Sequence, residues 1–132
     1  MNDGFSCFTD PALLKETLSN LLSNAVKYSP DGGTISISVR KNTEKIAITV
    51  KDTGCGIPRK EQEKVFTKFF RAPNAMKIKT DGTGLGLYLV QSLVKLLGGS
   101  ITFTSEENKG TVFTIVLPER FLGEQAESPP LP

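Results

Sequence analysis

Two neighbouring stretches of this chain switch between apolar and polar residues almost at every step. In Thr34–Arg40, Ile35, Ile37 and Val39 fall to one side and Ser36 and Ser38 to the other; in Lys45–Lys51, Ile46, Ile48 and Val50 repeat the pattern. Successive side chains of a strand point to opposite faces, so each stretch has one apolar face. The connection Lys41–Glu44 is short and polar, which predicts a β-hairpin with one buried face. Such a sheet needs a covering layer on one side only.

Two amphipathic helices supply that layer. The first runs from Pro11 to about Tyr28, with Asp10 (or Thr9) as N-cap, Pro11 at the first helical position and Ser29-Pro30 as its stop. Leu14, Leu18, Leu21, Leu22 and Ala25 share one side of it. The second runs from Gly84 to Leu97, with Leu89, Val90, Leu93 and Leu97 as its apolar stripe and Gly98-Gly99 as its stop. Gly4–Thr9 reads as a short first strand. Ile101–Ser105 and Thr111–Leu117 read as two more strands joined by the polar turn Glu106–Gly110. Arg59 to about Lys68 reads as a short helix turning Val65, Phe66 and Phe69 inward, and Arg71–Gly82 as a loop. The sum is an α/β (α+β) two-layer sandwich with a mixed, largely antiparallel sheet covered on one face by helices. One domain over residues 1–118 and a flexible C-terminal tail over 119–132 are expected.

Composition removes several classes of function. A net charge of +2 gives no argument for nucleic acid or for membrane contact by this segment, and no apolar run approaches a membrane span. Two cysteines, Cys7 and Cys55, are too few for a disulfide framework, so a cytoplasmic setting is expected. There is no histidine, which removes the commonest general base and metal ligand. Cys55 is assigned no redox role.

The polar side of the first helix carries Glu16, Asn20, Asn24 and Lys27, with Tyr28 at its edge. Asparagine is a mediocre helix former, so two of them on one face invite a reason. They form a solvated face, or they offer amide oxygens to a hard cation, with Lys27 meeting an anion and Tyr28 a planar ligand; the helix alone leaves both open. Asp52-Thr53-Gly54-Cys55-Gly56-Ile57-Pro58 follows a strand, where alternate glycines permit close approach to the backbone. Asp81-Gly82-Thr83-Gly84-Leu85-Gly86-Leu87 opens a helix, where free N–H groups suit phosphate. It fits neither the dinucleotide fingerprint, which needs a preceding strand, nor the Walker loop, which needs Gly-Lys-Ser/Thr.

Taken in order, NLLxNAxKYSP, DTGxGIP, a phenylalanine-rich stretch, GTGLGL and GTxFxxxLP resemble the catalytic and ATP-binding domain of a sensor histidine kinase, in the superfamily shared with DNA gyrase and a heat-shock chaperone. The resemblance runs from about Phe5 to Pro118 and implies a Bergerat-type ATP-binding fold. It implies ATP and Mg²⁺ as cofactors, with Asn24 on the metal, Asn20 supporting it and Lys27 on a phosphate. Tyr28 would line the adenine pocket. Asp52 would accept from the adenine amino group, with a water shared with Thr111, and Gly54, Gly56 and Ile57 would lie close to the base. Arg71 would be a lid residue reaching the terminal phosphate, anchored by Phe66, Phe69 and Phe70. Gly82, Thr83, Gly84, Leu85, Gly86 and Leu87 would form the hinge and phosphate cradle; Lys77 and Lys79 rank lower.

ATP-hydrolysing relatives carry a glutamate one turn before the metal asparagine, and this chain has Asn20 there. An amide cannot take a proton from water, which favours transfer to a protein acceptor over ATP hydrolysis. The implied partners are a histidine-bearing dimerisation domain and, indirectly, a response regulator receiver domain. The alternatives are a nucleotide-binding regulatory module without transfer, an anti-sigma-factor-type serine kinase, and a gyrase-like ATPase, which Asn20 disfavours.

Overall fold

A computed structural model of the chain describes residues 9–30, 32–67 and 86–119. Helix α1 spans Pro11–Tyr28, and the Asp10 carboxylate accepts from the N–H groups of Ala12 and Leu13, two of the donors a helix start leaves unpaired. The hairpin follows as β1 (Ile35–Lys41) and β2 (Lys45–Asp52). The expected short helix from Arg59 is a 3-10 helix, Arg59–Lys64. Then come α2 (Gly86–Leu96), β3 (Ser100–Glu106) and β4 (Gly110–Pro118). The expected strand at Gly4–Thr9 falls almost entirely outside the described residues, as do the loop and Phe69.

The four strands order as β1-β2-β4-β3, and every pairing among them is antiparallel. The central pair registers Ile48 with Ile115 and Asp52 with Thr111. Both helices lie on one face. Leu21 and Ala25 of α1, Val90, Val94 and Leu97 of the second helix, and Ile48, Val50, Phe113, Ile115 and Leu117 of the sheet form a single core. Each large side chain withdrawn this fully contributes about 1.5–3 kcal/mol. Phe66 closes one side, its ring edge-on to Phe103 at 5.8 Å and to Phe113 at 6.3 Å.

Two expectations are corrected and one buried residue is added. Ile37 and Val39 stay 52% and 39% exposed, because β1 is an edge strand while the helices meet the sheet over β2 and β3. Leu89 is 37% exposed and Val94 takes its place, since the buried stripe of α2 runs Val90, Leu93, Val94, Leu97 and position 89 lies about 100° off it. Thr17, unassigned from sequence, is fully buried; its hydroxyl donates to the Leu13 carbonyl at 2.7 Å, which satisfies it inside the core. The stop of α2 is as expected: Gly98 N–H bonds back to Lys95 and Gly99 N–H to Val94, each at 3.0 Å.

Candidate functional site

The helix-facing side of the sheet reads Ile46, Ile48, Val50, Asp52 along β2 and Leu117, Ile115, Phe113, Thr111 along β4. The register therefore ends a run of apolar rows in a polar one, which Ser105 of β3 completes opposite Thr111. An open cavity of about 280 Å³ at this end of the strands is lined by Asp52, Ser105, Gly110 and Thr111, and also by Lys51, Thr104 and Val112 of the opposite parity, so it is not confined to the helix-facing side. Burial pushes the Asp52 carboxyl above the usual carboxylate range, against the lowering effect of hydrogen bonds from the Gly54 and Thr111 backbones. The Gly54 bond is 2.8 Å long.

The two turn glycines serve the protein's own backbone. A Cβ on Gly54 would lie 2.7 Å from the Tyr28 carbonyl oxygen and 2.9 Å from Asp52 Oδ1. Gly56 has φ of +69°, and a Cβ there would strike the Glu106 carbonyl. Ile57, expected near the base, is buried, with its N–H on Ser105 Oγ at 2.8 Å. Burial pushes the Cys55 thiol up, and the nearby Asp52 and Glu107 carboxylates add to the effect, so it is a poor nucleophile.

The end of α1 joins this turn through backbone: Cys55 N–H donates to the Tyr28 carbonyl at 3.3 Å. Tyr28, Asp52, Gly54 and Thr111 are thus brought to one end of the sheet. Asn24 lies one turn back along α1, half-buried, and no side-chain hydrogen bond engages it among the described residues. The Asn20 amide nitrogen is bonded to its own helix, at Glu16 O, 2.8 Å away. The Lys27 ammonium stands 6.0 Å from the Tyr28 ring centroid. Ser29 Oγ, one residue past Tyr28, is shielded from solvent without a partner among the described residues. Gly86 and Leu87 open α2, with Leu87 packed on the core. Arg71, Phe70, Lys77, Lys79, Gly82, Thr83, Gly84 and Leu85 lie outside the described residues.

The donor set fits a nucleotide. A desolvated carboxyl is an acceptor for an amine, and an unengaged carboxamide oxygen suits a hard cation. Among the described residues no three His, Cys, Asp or Glu side chains gather.

Sequence reasoning missed Ser105 and Gln62. Ser105 Oγ also lies 3.1 Å from the Gly110 carbonyl and 2.8 Å from Thr111 Oγ1. Gln62 Nε2 donates to the Ile57 and Ser105 carbonyls at 3.0 and 3.2 Å. The signal for Ser105 was available: after Ile101 and Phe103, a third residue of the same parity faces the helices and is polar.

A family model described as histidine kinase-, DNA gyrase B-, and HSP90-like ATPase matches residues 9–120. The sensor histidine kinase WalK of Bacillus subtilis is 47% identical over 111 residues, 83% of this chain and 18% of WalK. The sensor-like histidine kinase SenX3 of Mycolicibacterium smegmatis is 43% identical over 116 residues, 88% of this chain and 30% of SenX3. The chain spans less than a third of the length of these relatives. Among solved structures, the mycobacterial sensor histidine kinase MprB superposes with a TM-score of 0.76 at 34% identity, covering 84% of this chain and 75% of that one. The nucleotide-free catalytic domain of the histidine kinase ThkA gives 0.70 at 32%, covering 85% and 71%.

Proposed function

Because the chain belongs to the histidine kinase-, DNA gyrase B- and HSP90-like ATPase family, and is an ATP-binding catalytic domain of the histidine kinase type, we propose that it holds Mg·ATP for transfer of the γ-phosphate to a histidine on a separate dimerisation domain. The observation that carries this reading is the half-buried Asp52 carboxyl, set beside Thr111 at the end of an otherwise apolar face.

Asp52 accepts from the exocyclic amine of adenine, and Thr111 shares the water beside it. Tyr28 lies against the base, and Ile57 fixes the turn that carries it. The Asn24 carboxamide oxygen takes one position on Mg²⁺, and Lys27 meets a phosphate. Mg²⁺ supplies charge neutralisation on the phosphate oxygens, the main requirement of an in-line transfer that depends on positioning. Asn20 supports Asn24 and provides no base for water. Arg71, with the Gly82, Thr83, Gly84, Leu85, Gly86 and Leu87 segment, adds the terminal-phosphate contacts. The phosphoryl acceptor must come from outside, because this sequence has no histidine. A response regulator would take the phosphoryl group from that domain.

The test mixes the chain with γ-labelled Mg·ATP and a helical hairpin domain that carries a phosphoacceptor histidine. Acid-labile label on the hairpin, with slow ATP turnover in its absence, is expected. Fast turnover without the hairpin, or nucleotide binding with no transfer, overturns the reading.

A further inference from the structure

Ser105 has three polar neighbours and one proton. Its Oγ receives the Ile57 N–H at 2.8 Å, faces the Gly110 carbonyl at 3.1 Å, and lies 2.8 Å from Thr111 Oγ1. A hydroxyl offers one donor and two lone pairs. The Ile57 amide occupies one lone pair. The Gly110 carbonyl can only accept, so that contact uses the Ser105 proton. Thr111 must then donate into the remaining lone pair. This arrangement satisfies every contact at once. The reverse, with Ser105 donating to Thr111, gives up the Gly110 contact and leaves one Ser105 lone pair empty. Both residues sit at least partly out of water, where an unmet polar group is costly.

The consequence falls on Thr111. With its proton turned back toward Ser105, its hydroxyl presents only lone pairs to the site. Asp52, its register partner on the same face, is an acceptor when ionised. Two adjacent acceptors favour a group with two hydrogens, such as an exocyclic amine or a water bonded to one, and repel a ring carbonyl.

We propose that Ser105 is a positioning residue that sets nucleobase choice: by fixing the Thr111 proton it makes the base-reading corner acceptor-only, selecting 6-amino over 6-oxo purines. This rests on the nucleotide-binding reading above. Gln62 keeps the frame in place by holding the Ile57 and Ser105 carbonyls together.

The test compares ADP with inosine diphosphate, which has a carbonyl where adenine has its amine, by competition against a fluorescent ADP analogue. In the Ser105→Ala chain the Thr111 proton is free to turn toward a carbonyl. The preference for ADP over inosine diphosphate is expected to shrink about tenfold, the worth of one hydrogen bond exchanged for its opposite. Ser105→Thr, which keeps the hydroxyl, restores the preference. A purely structural role lowers both affinities by one factor and leaves their ratio unchanged; that result, or no change in either, overturns the proposal. If Ser105→Ala fails to fold, the ratio is read in Ser105→Cys, whose thiol fills the space but is a weak donor and acceptor. A parent chain that binds neither nucleotide removes the nucleotide reading itself, an outcome distinct from an unchanged ratio.

Discussion

The sheet presents its helices with two kinds of row. Val50, Phe113 and Phe103 stand side by side in one; Asp52, Thr111 and Ser105 stand side by side in the next of the same parity. Strand pairing and direction are the same in both, and only the side chains change. The apolar rows gain free energy by leaving water. The polar row gives some back, because its carboxyl is partly desolvated with no cation against it among the described residues. Stability and chemistry therefore occupy adjacent strips of one surface, and each can be perturbed separately.

The largest effect belongs to the apolar strip. Ile115 is fully buried between β2 and β3, and Ile115→Ala is expected to cost about 3–4 kcal/mol in urea unfolding, from lost transfer energy and the cavity left behind. Nucleotide affinity of the folded fraction should stay within a few-fold. A cost below about 1 kcal/mol would mean that the strip is not the core.

Asp52→Asn should act in the opposite way. ADP affinity, measured by calorimetry, is expected to fall about a hundredfold, the worth of a charge-assisted hydrogen bond. Stability should rise at neutral pH. The sign follows from linkage: a carboxyl raised on folding favours the folded state below its unfolded pKa, and that contribution is lost as pH rises through the folded value. The variant's advantage should thus vanish in acid, and the parent's ADP affinity should fall as pH drops toward the raised value. A variant less stable at neutral pH would break the contrast between the strips.

The smallest effect sharpens its boundary. Ile37 has the parity of the core yet is half in water at the sheet edge. Ile37→Thr should change urea stability by no more than about 0.5 kcal/mol.

Ile37 also shows what a sequence can and cannot reveal. Alternation assigns residues to a face, and β1 to β4 were legible for that reason. It does not say whether anything covers the face, which depends on strand order, a long-range property. Leu89 and Val94 carry the same lesson on a helix, where packing decides which side of an apolar surface is buried and leaves a residue about 100° off that stripe partly exposed. Within the site, Asp52 was legible as an acceptor at a strand end, and only the motif order tied Thr111 and Asn24 to it. Gly54 and Gly56 were read as room for a ligand, but the close neighbours found are the Tyr28 and Glu106 carbonyls. Ser105 was missed although its parity was readable, while its bond from Ile57, 48 residues away, and the Gln62 bond to Ser105, 43 residues away, depend on the tertiary fold.

The meeting of the α1 terminus with the turn after β2, through Tyr28 and Cys55, gives occupancy a mechanical meaning. The segments proposed to touch a nucleotide there are the free ends of a helix and of several strands, the parts of a fold that open first. A ligand that holds them together raises the cost of fraying, by about 2.7 kcal/mol at a hundredfold excess over its dissociation constant. Cellular nucleotide supply would then govern how long the domain survives proteolysis as well as how often it is charged for transfer.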